Sequence, residues 1–262
     1  MTKTHQKNSV QPYVSCAFIH VNDLKNSAEF YSMIHGVPVR EERFNGGPVY
    51  WMELEGGTGL NLDDNSVNKQ NPDWDESQQI LCMLQTPDVH AAYEHVKNLG
   101  AKIVTEPENP HPGLAFFRFR DPDGNVLMVT QSDSKGAPLP RDNKSPIKNR
   151  IKAVFFNVTD MERAVKWYGN LFGLTVKDSS NSIYTVPTEG GADILLDNNR
   201  HLQGNDYKTL LMFDTDDVDE AYRYLKKNSV DIFTEIERHG NVSFFTFKDP
   251  DGNVLMVCQE SN

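Results

Sequence analysis

The chain has 262 residues and a mass of 29.7 kDa, enough for two domains of ordinary size, each with its own core. Asp and Glu outnumber Lys and Arg by 37 to 26, for a formal charge of −11 and a pI near 5.2. A surface this acidic repels phosphate backbones and anionic lipid, so no nucleic-acid or membrane partner is expected.

Residues 1–13 are polar and read as a flexible tail without a signal peptide. Val14–Val21 alternates apolar and polar positions and predicts a strand. Asp23 can cap a helix with Leu24, Ala28, Tyr31 and Ile34 on one face, stopped by Gly36. Short strands are predicted at Val37–Phe44, Val49–Leu54 and Gly59–Asp63. The same grammar then returns. Ile80–Gln85 is a strand, and Asp88 opens a helix with Val89, Ala92, Tyr93, Val96 and Leu99 on one face. Strands at Ala101–Glu106, Leu114–Arg120 and Asn125–Gln131 follow.

The whole series is then repeated. Residues 119–131 read FRDPDGNVLMVTQ, and residues 247–259 read FKDPDGNVLMVCQ, with 11 identities in 13 positions. Val21–Leu24 matches Val158–Met161, and Thr86–Tyr93 matches Thr215–Tyr222. The offset slips from 137 (Val21 to Val158) to 129 (Thr86 to Thr215), which gives the first copy about eight extra residues, expected around Asn68–Ser77. The organisation is a first domain at 14–131, a Ser-, Pro- and Gly-rich linker at 132–149, and a second domain at 150–262. The order is βαβββ, four times. Within each Asp-Pro-Asp-Gly-Asn segment, Pro and Gly supply the backbone angles of a hairpin joining the last two strands.

These features resemble the vicinal oxygen chelate superfamily, the glyoxalase, bleomycin-resistance and extradiol-dioxygenase group. The matching residues are a first strand ending Val-x-Asp, the pairs Phe30-Tyr31 and Trp167-Tyr168 in the following helix, and Gly36-Val37 and Gly173-Leu174 after it. The closing Asp-Pro-Asp-Gly-Asn completes the match. The resemblance implies an α+β fold of four βαβββ modules, forming two half-open, cup-shaped mixed sheets with ligands bound inside.

In the metal-dependent members a divalent ion sits in the cup on His, Gln or Glu side chains and polarises substrate oxygens. Carried over one by one, the first-strand position falls on Cys16 and Ala153, and the last-strand position on Met128 and Met256. The fifth-strand position falls near Leu81 and Leu210, the fourth-strand one near Asn61 and Leu195. Thioether and methyl groups do not replace hard ligands, so the expected metal set is none. If Cys16 faces inward, alternation brings Phe18 and His20 with it, and Ala153, Phe155 and Asn157 in the second copy. The last strands add Val126, Met128 and Thr130, and Val254, Met256 and Cys258. That is an apolar, sulfur-rich lining with few polar groups, fit either for a flat organic ligand or for a filled core.

Of the eight histidines, His20 alone is expected in a cup. His111 and His239 occupy equivalent positions near a cup mouth and are candidates for acid–base work, or plain exposed loop residues. His90 and His95 read as surface. Cys16, Cys82 and Cys258 are an odd set without metal-type spacing, which fits a reducing, cytoplasmic setting.

Three functions compete. The first is a metal-free binder of a small, partly apolar or aromatic molecule, with no cofactor. The second is a lyase, isomerase or extradiol-type dioxygenase holding Fe, Mn, Ni or Zn on displaced ligands. The third is a structural module with vestigial cups. Two copies in one chain can pair internally, which leaves open a monomer and a homodimer of whole chains.

Overall fold

A computed structural model describes residues 9–132, 137–141, 145–177 and 181–261. The first copy runs β1 (Val14–His20), α1 (Leu24–His35), β2 (Val49–Met52), β3 (Gly59–Asp63), β4 (Ile80–Gln85), α2 (Val89–Asn98), β5 (Lys102–His111), β6 (Leu114–Arg120) and β7 (Val126–Ser132). The second runs β8 (Ile147–Asn157), α3 (Met161–Phe172), β9 (Ile183–Val186), β10 (Asp193–Asp197), α4 (Asn199–Gln203), β11 (Thr209–Thr215), α5 (Val218–Lys227), β12 (Asp231–Ile232), β13 (Glu237–His239), β14 (Val242–Lys248) and β15 (Val254–Glu260).

Each copy is one mixed sheet. The first has the order β2-β3-β1-β4-β7-β6-β5, and the second β12-β14-β15-β11-β8-β10-β9, with β13 beside β14. In both, two antiparallel strands at the centre (β1 and β4, β8 and β11) each carry a parallel neighbour on the outside. Asp23, Asp88, Asp160 and Asp217 cap their helices through backbone N–H groups, and Gly36 and Gly173 stop α1 and α3 at φ 62°.

The strand predicted over Val37–Phe44 does not form; that stretch is irregular apart from a single 3-10 turn at Glu41–Arg43. Pro38 removes a ladder donor, and the Arg40–Arg43 charges have no buried face to join. Among the described residues the first module therefore reads βαββ, as does the third (β8, α3, β9, β10), whereas the second keeps its three strands after the helix. Cys16 pairs with Gly59 where Ala153 pairs with Asp193. Some of the first copy's extra residues thus lie between α1 and β2, and the rest in the β3–β4 connection.

The expected tail is packed from Ser9 onward. Val10 is fully buried, Gln11 donates its N–H to Gln85, and the Tyr13 hydroxyl donates to the Gly57 carbonyl. The expected linker is also partly structured. Ser132 ends β7, Ile147 begins β8, and Leu139 and Ser145 are buried; 133–136 and 142–144 fall outside the described residues.

Alternation divides the faces as the sequence predicts. Ala17, Ile19, Leu127 and Val129 enter one large core with Val154, Phe156, Leu255 and Val257 of the other copy. Phe18, Val126 and Met128 form a separate cluster on the opposite, concave face, as do Ala153 and Phe155 in the second sheet.

The shared core exists because α1 and α3 each lie against the other copy's sheet. Phe30 meets Phe247 at 6.4 Å, and Trp167 meets Phe119 at 6.1 Å between ring centroids. The Asp-Pro-Asp-Gly-Asn hairpins hold this arrangement. The buried Tyr31 hydroxyl donates to Asp249 at 2.8 Å, and Tyr168 donates to Asp121 at 2.6 Å. Asn253 donates to the His20 carbonyl and Asn125 to the Asn157 carbonyl, both at 3.0 Å. Asp251 accepts from the Asn22 N–H, and Asp123 from the Thr159 N–H. The repeated pentapeptide is both a turn and a clasp on the opposite copy.

Candidate functional site

The strand register decides which concave residues are neighbours. Gly59, Cys16, Met83 and Met128 form one row across β3, β1, β4 and β7. In the second sheet the row is Asp193, Ala153, Met212 and Met256. The fifth-strand positions are therefore Met83 and Met212, two residues beyond the expected Leu81 and Leu210. Asn61 pairs with Phe18, and Leu195 with Phe155, two residues along from Cys16 and Ala153. A bulge at the start of β1, matched in β8, shifts the register of the central strands.

This row does not suit a hard divalent ion. It offers one thiol and two thioethers in the first copy, and one carboxylate and two thioethers in the second. Burial pushes the Cys16 thiol well up, which keeps it from the thiolate form a metal needs. Cys258 is likewise pushed up to about 11 by burial. Among the described residues no three His, Cys, Asp or Glu side chains converge as a metal cluster.

A cleft of about 680 Å³ opens where the rim of the first cup meets the second copy. Its apolar wall is Phe18, Ile80, Leu81, Val126 and Leu210, with Asn125, Asn157 and Asn253 between the copies. Of the candidate ligand-binding residues, Phe18, His20 and Asn157 line it. Cys16, Met128, Thr130, Ala153, Phe155, Met256 and Cys258 do not. At the strand ends of the second sheet away from the cleft, polar groups are already paired: Lys152 meets Glu260 at 2.9 Å, and Arg150 grips Asp214 through two nitrogens.

His20 sits at the cleft with both ring nitrogens engaged. Nε2 donates to the Ile80 carbonyl at 2.9 Å, and Nδ1 accepts from the Asn65 amide at 3.0 Å. Burial lowers its pKa, so the ring is neutral and oriented rather than free to take a proton. His111 and His239 lie on exposed hairpin ends, bonded to the Pro112 carbonyl and the Glu237 carboxylate. Neither lines the cleft. His95, expected at the surface, instead bonds the Asn170 and Leu171 carbonyls at the end of α3, sealing the two copies together.

Sequence reasoning missed the cleft's cations, Arg120, Arg200 and Lys208. Two of them stand in the β10–β11 connection, where the copies diverge and no repeat marks a position. Arg120 aligns with Lys248, which instead lies over the Phe233 ring at 4.5 Å. Only the side-chain surroundings distinguish the two.

Two mixed sheets clasped through repeated hairpins define the architecture of this chain. The Glyoxalase/Bleomycin resistance protein/Dioxygenase superfamily matches residues 13–129 and 150–257, and the chain belongs to it. It is 23% identical over 273 residues to the Arabidopsis thaliana lactoylglutathione lyase GLX1, covering 90% of this chain and 88% of that one. Among solved structures it is similar to the Mn(II)-bound glyoxalase from Novosphingobium aromaticivorans (TM-score 0.60, 21% identity, 96% of this chain and 81% of that one). It is also similar to the 2,3-dioxygenase LapB from Pseudomonas sp. KL28 (TM-score 0.58, 13% identity, 97% and 94%). Those structural likenesses speak for the fold. No helix among the described residues is long and apolar enough to cross a membrane.

Proposed function

We propose that this chain binds a small, partly apolar or aromatic molecule in the cleft between its copies, without a divalent metal. One observation carries the reading: the Cys16, Met83 and Met128 row, matched by Ala153, Met212 and Met256, stands where the resemblance expects hard ligands. The Mn(II) of the Novosphingobium glyoxalase has no fitting donor set in this row. The cleft's volume and its mix of apolar wall and few directed amides suit a small organic ligand. Three free, buried thiols are consistent with a reducing, cytoplasmic setting.

The alternative is a metal-dependent lyase, isomerase or dioxygenase, favoured by the activities for which its relatives are named. It requires ligands outside the row. Fluorescence titration with the neutral aromatic probe N-phenyl-1-naphthylamine separates the two. The expected result is saturable binding, unchanged by EDTA or by added Mn(II). Binding that disappears with chelator and returns with metal overturns the metal-free reading.

A further inference from the structure

Arg120, Arg200 and Lys208 all line the cleft although the chain as a whole carries a charge of −11. Among the described residues, none of the three lies within ion-pair distance of a carboxylate. Arg120 donates only to neutral acceptors: Nη1 to the Ser77 and Gly124 carbonyls, Nη2 to the Ser77 hydroxyl. These bonds aim the guanidinium without cancelling its charge; Asp75 feels its field from farther away. Arg200 uses Nε on the Asn205 carbonyl at 3.2 Å. Of the carboxylates at the cleft, Asp123 is held by Arg163 and Thr159, and Glu76 stands exposed.

Lys208 and Arg200 press on one another. Desolvation by the surrounding protein and the neighbouring guanidinium hold the Lys208 ammonium below its usual range, although part of the side chain meets solvent. Lys208 in turn helps to lower His20, which belongs to the other copy. Like charges placed side by side, as Arg200 and Lys208 are, raise each other's energy, and an anion beside them relieves that repulsion. The wall of Phe18, Ile80, Leu81, Val126 and Leu210 meanwhile offers dry surface within the same volume.

We propose that the ligand of this cleft is an organic anion: an apolar body on the Phe18–Val126 wall, with a carboxylate, sulfonate or phosphate group held by Arg200, Lys208 and Arg120. This rests on the reading of the cleft as a small-molecule site and gives that molecule its charge. It reconciles an acidic protein with an acidic ligand, because recognition depends on the local field within the cleft rather than on net charge.

The test compares 8-anilinonaphthalene-1-sulfonate with N-phenyl-1-naphthylamine, which shares its aromatic frame but lacks the sulfonate. The wild-type chain and the R200Q/K208Q variant are titrated with both. Both side chains stand at the exposed rim, so the variant is expected to keep its melting temperature. K25Q, outside the cleft, serves as the control. The expected result is at least a tenfold weaker affinity of R200Q/K208Q for the sulfonate, with the neutral probe unchanged and K25Q like wild type. Added salt weakens only the sulfonate. Equal sulfonate affinity in wild type and R200Q/K208Q, with the neutral probe still bound, overturns the anion assignment and leaves the small-molecule reading standing. Failure of the wild-type chain to bind either probe overturns both.

Discussion

Replacing Asp121 by alanine is expected to destabilise the chain by about 3–5 kcal/mol. The Asp121 carboxylate is buried and accepts from the Asp123 and Asn125 N–H groups, the Asn125 amide and the Tyr168 hydroxyl. Losing it removes the hairpin's internal bonds and the clasp on α3, and leaves a buried phenol hydroxyl without a partner. Hydrogen bonds to a charged group contribute about 1.5–3 kcal/mol each, but burial opposes the charge and raises the Asp121 pKa, which tempers the sum. Y168F, which removes only the hydroxyl, is expected to lose about 1–2 kcal/mol. For a chain of this size the D121A loss corresponds to a melting temperature lower by roughly 6–15 °C, read by circular dichroism. D249A repeats the experiment at the other end, where Asp249 accepts from Tyr31. If D121A melts within a degree or two of wild type, the hairpins do not clasp the copies together.

The second large effect concerns pH. His35 is fully buried where α1 packs on the second sheet, edge-on to Phe213 at 4.7 Å. Nδ1 bonds the Lys148 carbonyl, while Nε2 has no partner among the described residues. Burial lowers its pKa to about 4, with Arg141 adding to the effect. The folded state therefore resists a proton that the unfolded chain accepts near pH 6.5. Stability should fall as pH drops through that window, by about 3 kcal/mol between pH 6.5 and 4, and level off below. Asp121 and Asp249, whose pKa values are raised, act in the opposite sense, so the wild-type curve alone does not isolate His35. The difference between wild type and H35Q in urea midpoints over pH 4–7 does. A difference that stays constant over that range contradicts the assignment.

Much of this architecture is visible in residue order. The 128-residue echo of Asp-Pro-Asp-Gly-Asn reveals the duplication, and alternation in Val14–His20 assigns Cys16, Phe18 and His20 to one face. What stays hidden depends on relations between distant residues. Nothing local makes Asp121 the partner of Tyr168, because that bond requires α3 to lie across the first copy. The neighbours of Cys16 depend on strand bulges, which alternation does not reveal, so Met83 replaces Leu81 in the row. His95 and His35 look like helix-surface and helix-end residues until the second copy covers them. The cationic cleft is the least legible feature. Its charges come from a hairpin in one copy and an unrepeated connection in the other, and only folding brings them together.

On the proposed reading, the row holding Cys16, Met83 and Met128 carries no divalent metal. The most direct test is elemental analysis of the full chain, purified without chelator or metal-binding tag and then soaked in turn with Fe, Mn, Ni and Zn. A specific folded-state site would retain metal and raise thermal stability by linkage; the expected result is less than about a tenth of an equivalent per chain and an unchanged melting temperature. About one equivalent per chain, removable by EDTA with a fall in melting temperature, would contradict it and make a metal-dependent enzyme the correct reading.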